Sequence, residues 1–344
     1  MQFSLGVDPN GEPEAPTIAG MSSEARVTIV MRTFERPMLL ARALSSVTHQ
    51  SYRNWQLIVV NNGGEPGPVD AAVATAMRTI AGGESKMRVL HTGERLGMET
   101  ATNAALRDAG SSEFFVVHDD DDSWLPDFLT VAVTEMDKRP DAGAIVTGLY
   151  RITETLQGNR LWPVVEEEFF LSEGRLTFRG IIAGNTFPPI AALFRTRLLS
   201  EVGYFDESLP VLGDWEFNIR AVQHAPFVYV PQRLAKYHIR TPESDGNSAN
   251  SITAGLATHR SVRLQLQDRW LRDTTSSPNL GLISMLASVE RDLDEMTRRR
   301  SSIDDSSAVE IAKAMKSQSM SRKILRGLRN PRHGIRAIKR RVDG

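Results

Sequence analysis

Phe114-Phe115-Val116-Val117-His118-Asp119-Asp120-Asp121-Asp122-Ser123-Trp124 is an apolar run that ends abruptly in four carboxylates. Phe114 to Val117 read as a buried strand. Four consecutive carboxylates repel one another, so they need either full solvation or a cation. A solvated acidic turn is one reading. The position directly after a buried strand favours the other, because hard oxygen ligands there suit Mg²⁺ or Mn²⁺. Such ions bind through one or two carboxylates plus substrate phosphates. Strand alternation from Asp119 turns His118 to the opposite side, where we expect it to pack.

Working outward, the same strand-then-polar pattern recurs upstream. Arg26 to Met31 is a short β-branched run followed by Arg32-Thr33. Pro37 opens a helical pattern carried by Leu39, Leu40, Ala43, Leu44 and Val47. Trp55 to Val60 reads as a strand closed by the turn signal Asn61-Asn62-Gly63-Gly64. Helices over 69–80 and 99–109 and a strand over 87–91 complete an alternating series. That alternation predicts an α/β fold with a mainly parallel central sheet and helices on both faces. Ligands of such sheets bind beyond the carboxyl ends of the strands. The polar ends Arg32-Thr33, Asn61-Asn62 and Asp119 to Asp122 should therefore face one crevice.

Residues 140–240 mix short apolar runs with polar loops and are expected to complete the same domain. Within them, Leu212-Gly213-Asp214-Trp215-Glu216-Phe217 sets a carboxylate among aromatics. A partly dry carboxylate is a candidate general base, because its pKa moves toward working pH. On these residues alone the favoured reading is that Asp214 caps a helix carrying Phe217, Ile219 and Val222, a role that can coexist with catalysis. Beyond Ser244 the pattern turns mostly helical, with amphipathic stretches over 260–272 and 280–299. The stripe Leu282, Leu286, Val289, Leu293 and Met296 suits self-association or packing on the core.

Composition bounds the function classes. The chain has 344 residues, 41% hydrophobic and 24% charged, enough for a sizeable core. Lys and Arg total 41 against 42 Asp and Glu, a net charge of -1, which argues against a nucleic-acid partner. Cysteine is absent, so disulfides, thiolate metal sites and a Cys nucleophile are excluded. No apolar stretch approaches the roughly 18 residues of a spanning helix. No basic-then-apolar leader marks a secretory signal, so a cytoplasmic location is expected. The balance is local, however. Residues 298–344 hold 14 Lys/Arg and 4 Asp/Glu, so the rest of the chain is acidic. Ser319 to Val342 intersperses Ile324, Leu325, Leu328, Ile335 and Ile338 with basic residues around Pro331. A basic amphipathic helix of that kind can lie on an anionic membrane, here the inner face of the plasma membrane. A solvated charged helix or a disordered tail fits the same residues.

These motifs resemble, in order and spacing, a family 2 glycosyltransferase of the GT-A fold. The resemblance rests on Val27 to Pro37, Leu57 to Gly64, Gly97 with Asn103 to Leu106, Val116 to Trp124, Val202 to Asp206 and Gly213 to Phe217. It implies a GT-A type nucleotide-diphospho-sugar transferase fold over residues 25–243. Around this domain we expect a flexible leader over 1–24, a helical extension over 244–300 and a basic tail over 301–344. By the resemblance, Asp119 and Asp121 hold Mn²⁺ or Mg²⁺, with His238 as a further metal or diphosphate ligand. Arg240 offers an alternative partner for phosphate. Thr33, Glu35, Asn62 and Asp120 contact the nucleotide sugar, Asp214 is the catalytic base, and Trp215 and Glu216 border the acceptor. The implied activity is inverting, metal-dependent transfer from a nucleoside-diphosphate sugar to a saccharide or lipid-linked acceptor in bacterial surface glycan synthesis. Four positions depart from the family pattern. Met31-Arg32 stands for Ile-Pro, Asn61-Asn62 for an acidic pair, Thr102 for Arg, and Gly213 for Glu. A non-catalytic sugar-nucleotide or glycan-binding scaffold and a sugar-nucleotide nucleotidyltransferase are the competing readings. The second is disfavoured because Arg32 to Glu35 form no Gly-rich phosphate loop.

Overall fold

A computed structural model describes residues 25–157, 160–169, 175–240, 256–273, 279–290, 293 and 296. The leader over 1–24 and the tail over 301–344 lie outside these residues.

Four parallel strands form the first half of the sheet: β1 (Val27–Thr33), β2 (Trp55–Asn61), β3 (Met87–His91) and β4 (Phe114–Asp119), in the order β3-β2-β1-β4. β2 is buried at every position, and β1 and β4 at nearly every position. Burial on both faces is what helical cover on both sides produces, and it explains their unbroken apolar runs. The crossovers are α1 (Pro37–Thr48), α2 (Pro66–Met77), α3 (Gly83–Lys86) and α4 (Met98–Arg107). Pro37 and Pro66 start α1 and α2, where a missing N–H costs nothing. In α1, Leu39, Leu40, Ala43, Leu44 and Val47 are all buried, as their spacing predicts.

The second half of the sheet changes direction. After β5 (Ser123–Trp124) and α5 (Phe128–Lys138) come β6 (Ala144–Gln157) and β7 (Arg160–Phe169). Then follow α6 (Phe178–Ala183), a 3-10 turn at Pro189–Ala191, β8 (Ala192–Arg195), α7 (Arg197–Val202), α8 (Gly213–His224) and β9 (Phe227–Arg240). The order continues β4-β8-β6-β9-β5, and β7 pairs with β6. β8 runs antiparallel to both β4 and β6, whereas β6 and β9 are parallel. β7 is an exposed outer strand carrying Pro163 and three glutamates, Glu166 to Glu168, features that discourage further strand addition. The β6–β7 hairpin was not visible in the sequence, because exposed strands lack an apolar alternation.

Aromatic packing fixes α8 against the sheet. Phe115 of β4 stacks on Phe194 of β8 at 5.2 Å, and Phe194 meets Phe217 of α8 edge-on at 5.6 Å. Phe205 stacks on the other side of Phe217 at 4.5 Å. Each such pair contributes roughly 0.5–1.5 kcal/mol beyond burial. Asp214 lies three residues before Phe217, on the same side of the helix, so this cluster also sets its direction. A last helix, α9 (Leu256–Arg272), buries Val262, Leu266 and Trp270 at four-residue spacing. Trp270 meets Trp215 edge-on at 5.4 Å, and Arg269 pairs with Asp206 at 2.6 Å.

Residues 280–290 are helical. The chain divides into two compact units, Met1–Met285 and Leu286–Gly344, and in the second Leu286, Val289, Leu293 and Met296 are exposed. Among the described residues no helix is long and apolar enough to cross a membrane.

Candidate active site

The carboxyl ends of β1, β2 and β4 lie side by side, with Thr33 opposite Asn61 and Arg32 opposite Asp119. Register partners on parallel strands point to the same face, so the Arg32 guanidinium meets the Asp119 carboxylate. Its Nε donates at 3.1 Å, and its Nη2 makes a second, closer contact. Asp119 keeps 30% of its side chain exposed. It opens into a cavity of about 420 Å³ that also reaches Glu99, Asn185, Asp214, Tyr237 and Arg263. That volume falls in the roughly 300–1,000 Å³ range of small-molecule sites.

Asp214 faces Asp119 across this cavity. It sits in the first turn of α8, after Leu212 in the left-handed region at φ 65°. Its Oδ1 accepts from the Trp215 backbone N–H at 2.8 Å, and its Oδ2 from the Asn185 amide at 2.6 Å. Burial raises its pKa above the ordinary value, while those two hydrogen bonds and Arg32 oppose the rise. The expected cap at Asp214 is not made: Leu212 holds the N-cap position without a side-chain cap, and Asp214 lies inside the first turn.

The rest of the acidic run turns away from the cavity into a charged network. Asp120 is fully buried and pairs with Arg36 at 2.6 Å. Burial pushes its pKa up to about 7; Arg36 opposes that and Asp121 adds to it. Asp121 sits between Arg240 and Arg36. Burial alone would raise Asp121, but those guanidiniums overcome it and hold the carboxyl below its usual range. Asp122 accepts from the His238 backbone N–H at 2.9 Å. His238 is turned inward, with Ser123 Oγ at 2.9 Å from Nε2 and Glu154 at 3.0 Å from Nδ1. Both ring nitrogens are thereby engaged away from Asp119 and Asp121, and among the described residues no group of three or more His, Asp or Glu is arranged to hold a metal ion. Glu154, invisible to motif reading, is the centre of this network. It pairs with Arg42 at 2.8 Å and lies 3.9 Å from Arg240. A break in the β6–β7 register falls between Thr153 and Glu154, and bulges of this kind re-aim a side chain.

Other expected contacts fall differently. Thr33 is buried at the end of β1, and Glu35 is exposed in the following turn at φ 51°. Asn62 uses both ends of its amide on Leu96, donating to its carbonyl at 3.0 Å and accepting from its N–H at 2.8 Å. It therefore pins the loop before α4. Trp215 is buried and donates to the Ile181 carbonyl at 2.6 Å. Glu216 is held by Arg220 at 2.7 Å. Neither lines the cavity, because each residue of a helix turns about 100° from the last. With Asp214 facing in, the next two face the core. The cavity is bordered instead by Asn185, Tyr237 and, from α9, His259 and Arg263. His118 packs as expected. It is fully buried against Trp124 at 4.5 Å, and burial lowers its pKa to about 4.

The profile of glycosyl transferase family 2 matches residues 28–203, about half of the chain and all four parallel strands. The chain belongs to that family. It is a glycosyltransferase, which removes the scaffold and nucleotidyltransferase readings. An uncharacterized glycosyltransferase, YwdF of Bacillus subtilis, is 26% identical over 209 residues, 60% of this chain and 71% of its own length. The y4gI protein of Sinorhizobium fredii is 26% identical over 241 residues; the match covers 70% of this transferase but only 25% of that protein. WfgD of Escherichia coli, a UDP-Glc:α-D-GlcNAc-diphosphoundecaprenol β-1,3-glucosyltransferase, is 28% identical over 110 residues, 32% of this chain and 40% of its own. The GT-A fold is shared with Staphylococcus aureus TarS residues 1–349 in complex with UDP-GlcNAc, at TM-score 0.54 and 18% identity, covering 75% of this chain and 70% of that one. It is shared also with the Pyrobaculum calidifontis mannosyltransferase PcManGT in complex with GDP-Man and Mn²⁺, at TM-score 0.56 and 19% identity, covering 80% and 73%.

Proposed function

We propose that this transferase moves a sugar from a nucleoside-diphosphate donor to an acceptor hydroxyl in one displacement, inverting the anomeric centre. The observation that carries the reading is one cavity with Asp119 on the strand side and Asp214 on the helix side. Those are the two places where such a reaction needs charge. The leaving diphosphate gains negative charge as its bond to the sugar breaks, and the attacking hydroxyl must lose a proton.

The donor set of the acidic loop bears on a divalent cation. Asp119 presents a half-open carboxylate, and Asp121 stays ionised between two guanidiniums. Two hard carboxylates with phosphate oxygens suffice for Mg²⁺ or Mn²⁺. The residues therefore fit a cation shared with the substrate, held by Asp119 and Asp121 without His238. When bound, that cation offsets the charge growing on the diphosphate. Arg32 and Arg36 hold the two carboxylates in place. The turn carrying Thr33 and Glu35 borders the nucleoside, Asp120 backs it through Arg36, and Asn62 shapes that border by pinning Leu96. Asp214, raised by burial, takes the hydroxyl proton, while Asn185 keeps its second oxygen oriented.

The acceptor reading is a saccharide, free or lipid-linked, in bacterial surface glycan synthesis. Its support is the named activity of WfgD on a diphosphoundecaprenol-linked sugar and the apolar lining of Phe169, Phe187 and Pro188. A cytoplasmic enzyme touching anionic membrane through residues 301–344 would meet such an acceptor. Sedimentation with anionic liposomes, compared between the full chain and one ending at Arg298, tests that contact.

Titration calorimetry of UDP and GDP with and without Mn²⁺ tests the donor reading. We expect binding of one diphosphate to strengthen with Mn²⁺ and Asp121→Ala to abolish the gain. No binding of either diphosphate under any condition overturns the donor reading.

A further inference from the structure

Glu99 is a buried carboxylate that the reaction above does not use. It stands in the first turn of α4, is 5% exposed and borders the cavity. Its partner is Arg32, 3.8 Å from Oε2, beyond hydrogen-bond range. Among the described residues no donor hydrogen-bonds to it. A carboxylate accepts up to about four hydrogen bonds, and buried polar atoms are nearly always satisfied. The Glu99 oxygens line the cavity and have acceptor capacity to offer to what fills it.

The surroundings hold this carboxylate in place. A Cβ on Gly213 would lie 2.4 Å from Glu99 Oε1, so the absence of a side chain there is what admits it. On its own helix, Thr102 caps back onto the Met98 carbonyl at 3.0 Å. One turn on, Asn103 donates to the Phe205 carbonyl at 2.8 Å and accepts from its N–H at 3.2 Å. Arg32 joins the remaining sides, bonded to Asp119 and donating to the Met98 carbonyl at 3.3 Å. Both Arg32 and Gly213 are positions where the chain departs from the family pattern, and here they meet at one side chain. Glu99 thus lies between Asp119, on the diphosphate side, and the residue preceding Asp214, on the acceptor side. The group that occupies that interval during transfer is the migrating sugar.

We propose that Glu99 is a specificity residue for the transferred sugar, accepting hydrogen bonds from its ring hydroxyls and selecting an uncharged pyranose over a sugar acid. The inference rests on the donor reading above. Selection follows from two effects. A hydroxyl donor gives this largely dry carboxylate a hydrogen-bonded partner, and an analogue lacking it forfeits that bond. Burial already raises the Glu99 pKa to about 7, with Asp214 and Asp119 adding to the rise, so the further negative charge of a uronic acid among these groups is unfavourable.

The test compares binding of UDP-glucose, UDP-GlcNAc, GDP-mannose and UDP-glucuronate with that of UDP and GDP in Mn²⁺, in wild type, Glu99→Gln and Glu99→Ala. We expect both variants to bind the preferred neutral nucleotide sugar at least tenfold more weakly. Binding of its parent diphosphate should stay within twofold, which also certifies the fold. Discrimination against UDP-glucuronate should shrink in Glu99→Gln. In Glu99→Ala with Gly213→Glu, a carboxylate returned from α8 should restore part of the loss. Equal effects on sugar and diphosphate, or none on either, overturn the proposal while leaving the donor reading intact. Wild type that binds no neutral nucleotide sugar more tightly than its diphosphate also overturns it. Absence of all diphosphate binding sinks the donor reading itself.

Discussion

Two sets of carboxylates, adjoining in the chain at Asp119 and Asp120, are treated in opposite ways. Asp119, Glu99 and Asp214 border the cavity, and one guanidinium, Arg32, contacts the first two. Behind them Asp120, Asp121 and Glu154 are locked by Arg36, Arg42, Arg240 and His238. The first set has oxygens to offer a substrate; the second is largely spent inside the protein, although both guanidiniums that hold Asp121 meet its Oδ2. A run of four aspartates is therefore not one site. Its first member opens on the cavity, Asp121 is the second carboxylate proposed for the cation, and Asp120 and Asp122 anchor the loop.

The largest effect expected from this division is on Asp214. Asp214→Asn should lower kcat about 10²–10⁴-fold, the range for losing a general base, with donor affinity kept. Steady-state rates beside calorimetry decide it, and wild-type turnover would erase the distinction between the two sets. In the wild-type enzyme the acid limb of the rate profile should lie above the ordinary aspartate pKa of about 3.9, because burial raises Asp214 and only its ionised form accepts a proton.

Next in size is the locked set. Removing one partner of a buried pair costs about 3–5 kcal/mol, so Arg240→Ala should shift urea unfolding by that amount. Arg32→Ala, at the cavity, should shift it less and weaken diphosphate binding more. A reversed ranking would break the comparison. A smaller effect concerns pH. Glu154 has a lowered folded pKa: burial raises it, but His238 and Arg42 prevail. Its stabilisation is complete above the unfolded value of about 4.3 and is lost as pH falls through the folded value. His238 is lowered by burial against Glu154, so the unfolded chain binds its proton first, and stability begins to decline below about 6.5. Thermal melts from pH 8 to pH 4 should fall first through the His238 step and then through the Glu154 step, and His238→Gln should flatten the first. The smallest expected effect is on Asn62. Asn62→Ala frees Leu96 and should raise the donor KM a few-fold with little change in kcat.

Much of this architecture was legible in the sequence. The four parallel strands and their polar ends followed from apolar runs and turn residues, and Asp214 from a carboxylate set among aromatics. What escaped reading depends on long-range geometry. Arg42 meets Glu154 across 112 residues, and His238 meets it across 84. No local pattern announces such pairs. Trp215 and Glu216 were placed at the acceptor by adjacency to Asp214, yet helical rotation carries both into the core. Glu99 carried no signal as a lone charge in an amphipathic helix, and only the space over Gly213 reveals its place.

The last strand, β9, carries a consequence for how the enzyme comes into being. It pairs along β6, reaches β5 beside the acidic loop, and ends with Arg240 on Asp121. The clamp on that loop is thus among the last parts of the sheet to be synthesised, 119 residues after the carboxylate it holds. Contacts so distant in sequence form late, since the intervening loop must close first. The parallel strands can assemble early, while the loop that presents Asp119 gains its counter-charge only when the sheet is complete. Competence for the reaction is thereby tied to completion of the fold, so a prematurely terminated chain would hold much of the core and lack the clamp.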